Sequence, residues 1–273
     1  MPAHPTPGPA CAIRWLLTLA VTLAAAACGG GGDDGNSGGA SAERAATSAE
    51  GYYVGTVSAG AFNQFELLAL ENNEFWLLYG NRAPGSSRFT VSGFMQGTGT
   101  YSAGTFTSTA MRNYGASPVT TGTFGATFRT NTSSFTTSLT GTASAATVSL
   151  SMTGADNISN YLYGLPASPS ALAGTWTISL GAGQSATLVV NPAGAFTLTL
   201  QGCVSTGSML PRASGKNVFN LTLTTGTATC ASPGVTYTGV AYVSSIGLGN
   251  ANQLTLLARN TAQTAGLVLV GDR

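Results

Sequence analysis

The chain has 273 residues, a net charge of +1 and only 7% charged side chains, where an ordinary globular protein has about a quarter. Its one histidine, His4, stands at the extreme amino terminus, so everything downstream lacks the imidazole needed for a Ser-His-Asp triad, a Cys-His pair or a His-ligated metal. Beyond residue 50 five acids and eight bases are dispersed along the chain, which excludes the clustered cations of a nucleic-acid footprint.

Residues 1–27 have the layout of a secretory signal: a front segment with Arg14 as its strong cation, a 13-residue apolar stretch over 15–27, and small residues before a cut. A spanning helix needs about 20 apolar residues, so the stretch is too short to remain in a bilayer. The run Leu23-Ala24-Ala25-Ala26-Ala27-Cys28, followed by Gly29 to Gly32, resembles the signal of a bacterial lipoprotein, with Ala25 where that family most often has leucine. The resemblance implies cleavage before Cys28, a diacylglyceryl group on its sulfur and an acyl chain, such as palmitate, on its amine. Two or more chains make membrane attachment stable, whereas one does not. Gly29 in place of aspartate implies the outer membrane, lipid-anchored and facing the periplasm or the surface. Residues 28–50, rich in Gly, Ala and Ser and without aromatic residues or leucine, read as a lipidated flexible tether.

From Gly51 onward, short runs of Val, Thr, Phe and Tyr alternate with Gly, Asn, Ser and Pro turns, and no helical period is sustained. Strands are predicted near 52–57, 64–71, 74–80, 88–95, 103–109, 119–129, 134–141 and 146–153. The second half repeats this order. Gly51-Tyr52-Tyr53 has its counterpart in Gly174-Thr175-Trp176, the hairpin of residues 65–80 in 186–202, Gly104-Thr105-Phe106 in Asn217-Val218-Phe219, Pro118-Val119-Thr120 in Pro233-Gly234-Val235, and Val148-Ser149-Leu150 in Val268-Leu269-Val270. The expected fold is all-β: two tandem eight-stranded antiparallel up-and-down meanders forming small β-barrels, a first unit at 51–164, a linker at 165–170 and a second unit at 171–273. That design resembles the bacterial surface lipoproteins built from paired small barrels, such as transferrin-binding and factor H-binding lipoproteins. The resemblance covers architecture, and none of their binding motifs can be placed on these residues.

A turn at Asn72-Asn73 would put Leu70 opposite Phe75 and Leu68 opposite Leu77, with Leu67, Ala69, Trp76 and Leu78 on one face and Leu68, Leu70, Phe75 and Leu77 on the other. Both faces are apolar, so the outer one needs a cover, either the second repeat or a partner. Phe75 and Trp76 are therefore candidate contacts for a ligand or partner. So are Arg212 and Lys216, two cations in the loop 211–217, where a phosphate loop would need glycine at Leu210 and a hydroxyl at Asn217. Cys203 and Cys230 are expected as a disulfide, given an exported chain and no CxxC spacing. Glu71 and Glu74 flank the turn and could hold calcium, though a solvated turn is the plainer reading. No catalytic residue, metal site or cofactor is expected. The residues point to an anchored binding module for a small apolar ligand or a protein, not an enzyme, with a structural, adhesive or envelope-assembly role as the alternative; nucleic acid is not an expected partner.

Overall fold

Side chains that suit a pleated surface, broken every few residues by turn formers, leave the backbone no route to hydrogen-bond satisfaction other than sheet ladders. The structure, a computed structural model describing residues 42–58, 60–86, 88–181, 184–246 and 252–273, satisfies them with eighteen strands. The first ten are β1 (Glu43–Ala45), β2 (Gly51–Val57), β3 (Gln64–Ala69), β4 (Glu74–Asn81), β5 (Thr90–Thr98), β6 (Thr100–Ser102), β7 (Thr105–Asn113), β8 (Thr120–Asn131), β9 (Thr137–Ala145) and β10 (Val148–Asp156). After a single 3-10 turn, Pro169–Ala171, follow β11 (Gly174–Gly181), β12 (Gln184–Val190), β13 (Ala195–Leu200), β14 (Cys203–Pro211), β15 (Phe219–Thr224), β16 (Thr236–Ser245), β17 (Asn252–Asn260) and β18 (Gly266–Asp272).

All pairings are antiparallel. β2, β3, β4, β5, β7, β8, β9 and β10 close on themselves through the β8–β7 and β10–β2 ladders, and β11 to β18 close through β11–β18, giving two eight-stranded barrels in tandem. Closure leaves few exposed edges. Each barrel opens on a glycine with positive φ, Gly51 at 150° and Gly174 at 125°, where the chain turns from the plugging segment into its first strand. The ends of three predicted repeat matches fall on equivalent strands, β2 with β11, β7 with β15 and β10 with β18; a fourth runs from the start of β8 to Val235, one residue before β16.

Strand pairing begins within the segment read as a tether. Glu43 to Ala45 pair with Arg129 to Asn131, because β8 runs past the end of β7 and leaves its edge open there. Ala46 and Ala49 then enter the barrel end and are buried.

The predicted register of the β3–β4 hairpin is wrong by one residue. Leu68 faces Trp76 and Ala69 faces Phe75. The loop holds three residues, Glu71 to Asn73: Asn73 adopts the left-handed conformation (φ 58°) and its N–H donates to Leu70 O at 3.1 Å. Since strand side chains alternate, one residue of slip exchanges the faces of β4. Phe75 and Leu77 point inward with Leu67 and Ala69, while Trp76 and Leu78 join Leu68 and Leu70 on the outer wall.

That outer wall is covered by the second barrel. Leu68, Leu70, Trp76 and Leu78 pack against Val218, Val240, Tyr242 and Leu257. Tyr161, from the connection between barrels, completes a cluster with Tyr52 and Tyr242 whose ring centroids lie 5.0 to 5.5 Å apart.

Candidate functional site

The two barrels are filled differently. The interior of the first holds Tyr53, Phe65, Phe75, Tyr79, Phe106, Phe124 and Phe128, with Met95, Met111 and Met152 between them. Phe75, Phe106 and Phe124 are in mutual ring contact. The paired glycines Gly55 and Gly154 make room for Phe65, whose ring would lie 2.7 Å from a Cβ at either position. Ala46 and Ala49 plug one end. At the other, the Phe62 ring lies tilted against Tyr79, centroids 4.8 Å apart, and the Tyr79 hydroxyl donates to Asn113 Oδ1 at 2.8 Å.

The second barrel is lined mainly by aliphatic residues and is a cup. Its closed end is built by the 3-10 turn and Arg273. Pro169 starts the turn with its fixed φ, Leu172 is fully buried, and Trp176 Nε1 donates to Leu172 O at 2.8 Å. Arg273 lies over the Trp176 ring, 4.3 Å from its centroid, and its guanidinium donates to the carbonyls of Ala171 and Ala173.

At the opposite end the β13–β14 turn is a two-residue hairpin, with Gln201 and Gly202 at φ 48° and 83°. The Cys203–Cys230 disulfide ties the 225–235 loop to it. Thr229 Oγ1 donates to Gly202 O at 2.7 Å, a second tie to that turn, while Val235 N donates to Thr225 Oγ1 at 2.9 Å and closes the base of the loop. Beneath it lies a cavity of about 350 Å³ walled by Leu198, Leu200, Leu223, Tyr237, Leu267 and Leu269, with Thr225, Thr229 and Ser232 at the rim. No carboxylate, amine or guanidinium lines it. The arrangement can hold an apolar body with a hydroxyl-bearing rim; its lining offers no charged group for acid–base chemistry.

The residues singled out in the sequence fall elsewhere. Cys203 and Cys230 are bonded as expected and frame the mouth. Cys28 lies outside the described residues. The remaining four candidates turn inward within the molecule. Phe75 is fully buried inside the first barrel, and Trp76 is buried in the seam, because the register slip and the covering barrel remove both from solvent. Arg212 donates through Nε and Nη2 to Glu71 Oε1 at 3.0 and 2.8 Å and through Nη1 to Asn220 Oδ1 at 2.9 Å. Lys216 lies 3.4 Å from Glu50 Oε2 and over the Tyr163 ring. The loop that suggested an anionic ligand is satisfied by carboxylates of the first barrel.

Glu71 and Glu74 have separate partners: Glu71 takes Arg212 and the Tyr163 hydroxyl, Glu74 the amides of Gln96 and Asn72. Burial alone would raise the Glu71 carboxyl, but the hydrogen bond and charge of Arg212, with backbone and Tyr163 donors, carry it below its ordinary value. Glu66 is the opposite case. Buried in the seam, its carboxyl is raised by desolvation despite donors from Tyr52 and Tyr242 and the charge of Arg82.

The cavity residues escaped the sequence reading because alternate leucines in β13, β15 and β18 look the same whether a barrel is packed or hollow. The signal that does distinguish the two units is composition: inward positions are richer in aromatics in the first, and richer in aliphatics in the second, which still holds Trp176, Phe196 and Phe219. No family model, curated protein or solved structure matches the chain.

Proposed function

We propose that this chain is a bacterial lipoprotein, anchored in the outer membrane through acylated Cys28, whose second barrel is a binding module for a small apolar ligand and not an enzyme. The observation that carries the reading is the cavity of about 350 Å³ with its leucine walls, within the size range of small-molecule sites. The filled first barrel acts as a rigid base, joined to the cup through the Leu68/Trp76/Leu257 seam. Burial of that face also takes away the surface most suited to a protein partner, which favours a ligand over a docked protein.

Native mass spectrometry of the protein purified from its producing cells tests the ligand. An added mass that disappears in Leu223→Trp, which fills the cavity, is expected; an unloaded wild type under non-denaturing conditions, with no uptake of added apolar compounds, would contradict the reading. The anchor is tested separately by growth on labelled palmitate, which should mark the wild type and leave Cys28→Ser unlabelled.

A further inference from the structure

Of the exposed large apolar side chains, Val189, Val204 and Leu210 are spread over strands of the second barrel, while the other four are grouped. Phe135, Ile158, Leu162 and Leu165 are each more than half exposed and all lie at one end of the first barrel, where β8 turns into β9 and where β10 hands over to the connection between barrels. The last three border a cleft of about 460 Å³ that Thr137, two residues from Phe135, also lines. The loops at the barrel's other end carry no exposed large apolar residue among the described positions.

Phe135 is held out by its backbone. It sits in the left-handed region at φ 57°, a conformation a bulky residue rarely takes, and is 75% exposed. The turn is set by Asn131, whose Oδ1 accepts from the N–H groups of Ser133 and Ser134 at 2.9 and 3.0 Å and whose carbonyl accepts from Phe135 N at 2.9 Å.

The chain leaves the barrel at the same place. Ala42 O accepts from Thr132 N and Thr132 Oγ1 at 3.2 and 2.8 Å, which fixes the exit point beside the Phe135 turn. Thirteen residues separate it from Cys28, a stretch that can reach no further than about 50 Å in any conformation; glycine-rich segments of that length average about 20 Å end to end. Arg44 and Arg129, on the neighbouring ends of β1 and β8, are exposed and have no ion pair among the described residues; Glu43 is exposed beside them, and the cleft is lined by Asp156 and by Glu50, which is paired with Lys216.

We infer that this end of the first barrel docks on the membrane, with Phe135, Ile158, Leu162 and Leu165 entering the headgroup region of an anionic bilayer and Arg44 and Arg129 facing its phosphates. The inference rests on the anchor at Cys28. Apolar wedges beside cations are what an interfacial surface requires. The cup of the second barrel then belongs to a body held in one orientation.

The test places tryptophan reporters by Phe135→Trp and Leu162→Trp, with Val204→Trp on the second barrel as the control. Acylated protein is reconstituted in phosphatidylethanolamine and phosphatidylglycerol vesicles with brominated acyl chains. Quenching of the first two reporters several-fold above that of the control is expected; equal quenching of all three, or none in Phe135→Trp, overturns the docking. A second arm uses the chain from residue 29 with an amino-terminal hexahistidine tag on nickel-chelating lipid in the same vesicles. If the acylated chain sediments with vesicles but the reporter of Phe135→Trp is unquenched in both arms, docking fails and the anchor stands. If natural material carries no acyl group yet the nickel-held chain shows the pattern, the anchor fails and the docking surface stands.

Discussion

Arg212 and Glu71 are separated by 141 residues in sequence and joined by two hydrogen bonds across the two barrels. Glu71→Gln should destabilise the folded protein at neutral pH by about 1.5–3 kcal/mol, the range for hydrogen bonds to charged groups, since Arg212 would keep its charge while largely buried. The sign with pH follows from the lowered carboxyl: its contribution is present above the ordinary 4.5 and is lost as pH falls through the folded value, so mutant and wild type should converge in strong acid. Glu66, raised by burial, behaves in reverse. Its contribution is present below 4.5 and lost as pH rises through the folded value, so Glu66→Gln should be at least as stable as wild type at neutral pH and less stable relative to it in acid. Urea unfolding across pH checks both. At this scale the sequence disclosed the cysteine pair, because Cys203 and Cys230 are the only cysteines after residue 28. It did not disclose the partners of Arg212 and Lys216, because a cation's fate depends on which acid the fold brings beside it.

The hairpin between β3 and β4 shows where element-level reading fails. Strand positions and turn were legible from apolar runs flanking Asn72-Asn73, yet leucine on both faces gave no pattern to fix the register, and a three-residue loop replaced the two-residue one. β1 was illegible for a related reason: nothing in Glu43-Arg44-Ala45 favours a strand, and the open edge of β8 imposes one. The element with the clearest energetic consequence is the disulfide across the mouth. Closing a loop with a separation of 27 residues contributes about 3–4 kcal/mol in the chain-entropy account. Cys203→Ser with Cys230→Ser should lower stability by that order in thermal or urea unfolding and free the 225–235 loop to cleavage by protease; unchanged unfolding would show that the threonine bonds alone hold the mouth.

At the largest scale the described residues form two like eight-stranded barrels that differ in filling. Weak matches in common order were enough to read two like units, and the antiparallel barrels follow them. Which barrel would be hollow was not legible, since inward and outward leucines differ only in register and in what packs outside. The seam makes the pair one unit: Trp76→Ala should cost about 3–5 kcal/mol, as for large aromatic truncations in a packed core, and broaden or split the unfolding transition followed by calorimetry. The proposal that the second barrel carries a small apolar ligand is tested most directly by titrating the purified protein with Nile red. Saturable fluorescence enhancement at one site, abolished by Leu223→Trp in a variant that keeps its cooperative unfolding, is the predicted result. Absence of saturable binding in the wild type, or binding indifferent to Leu223→Trp, would contradict it.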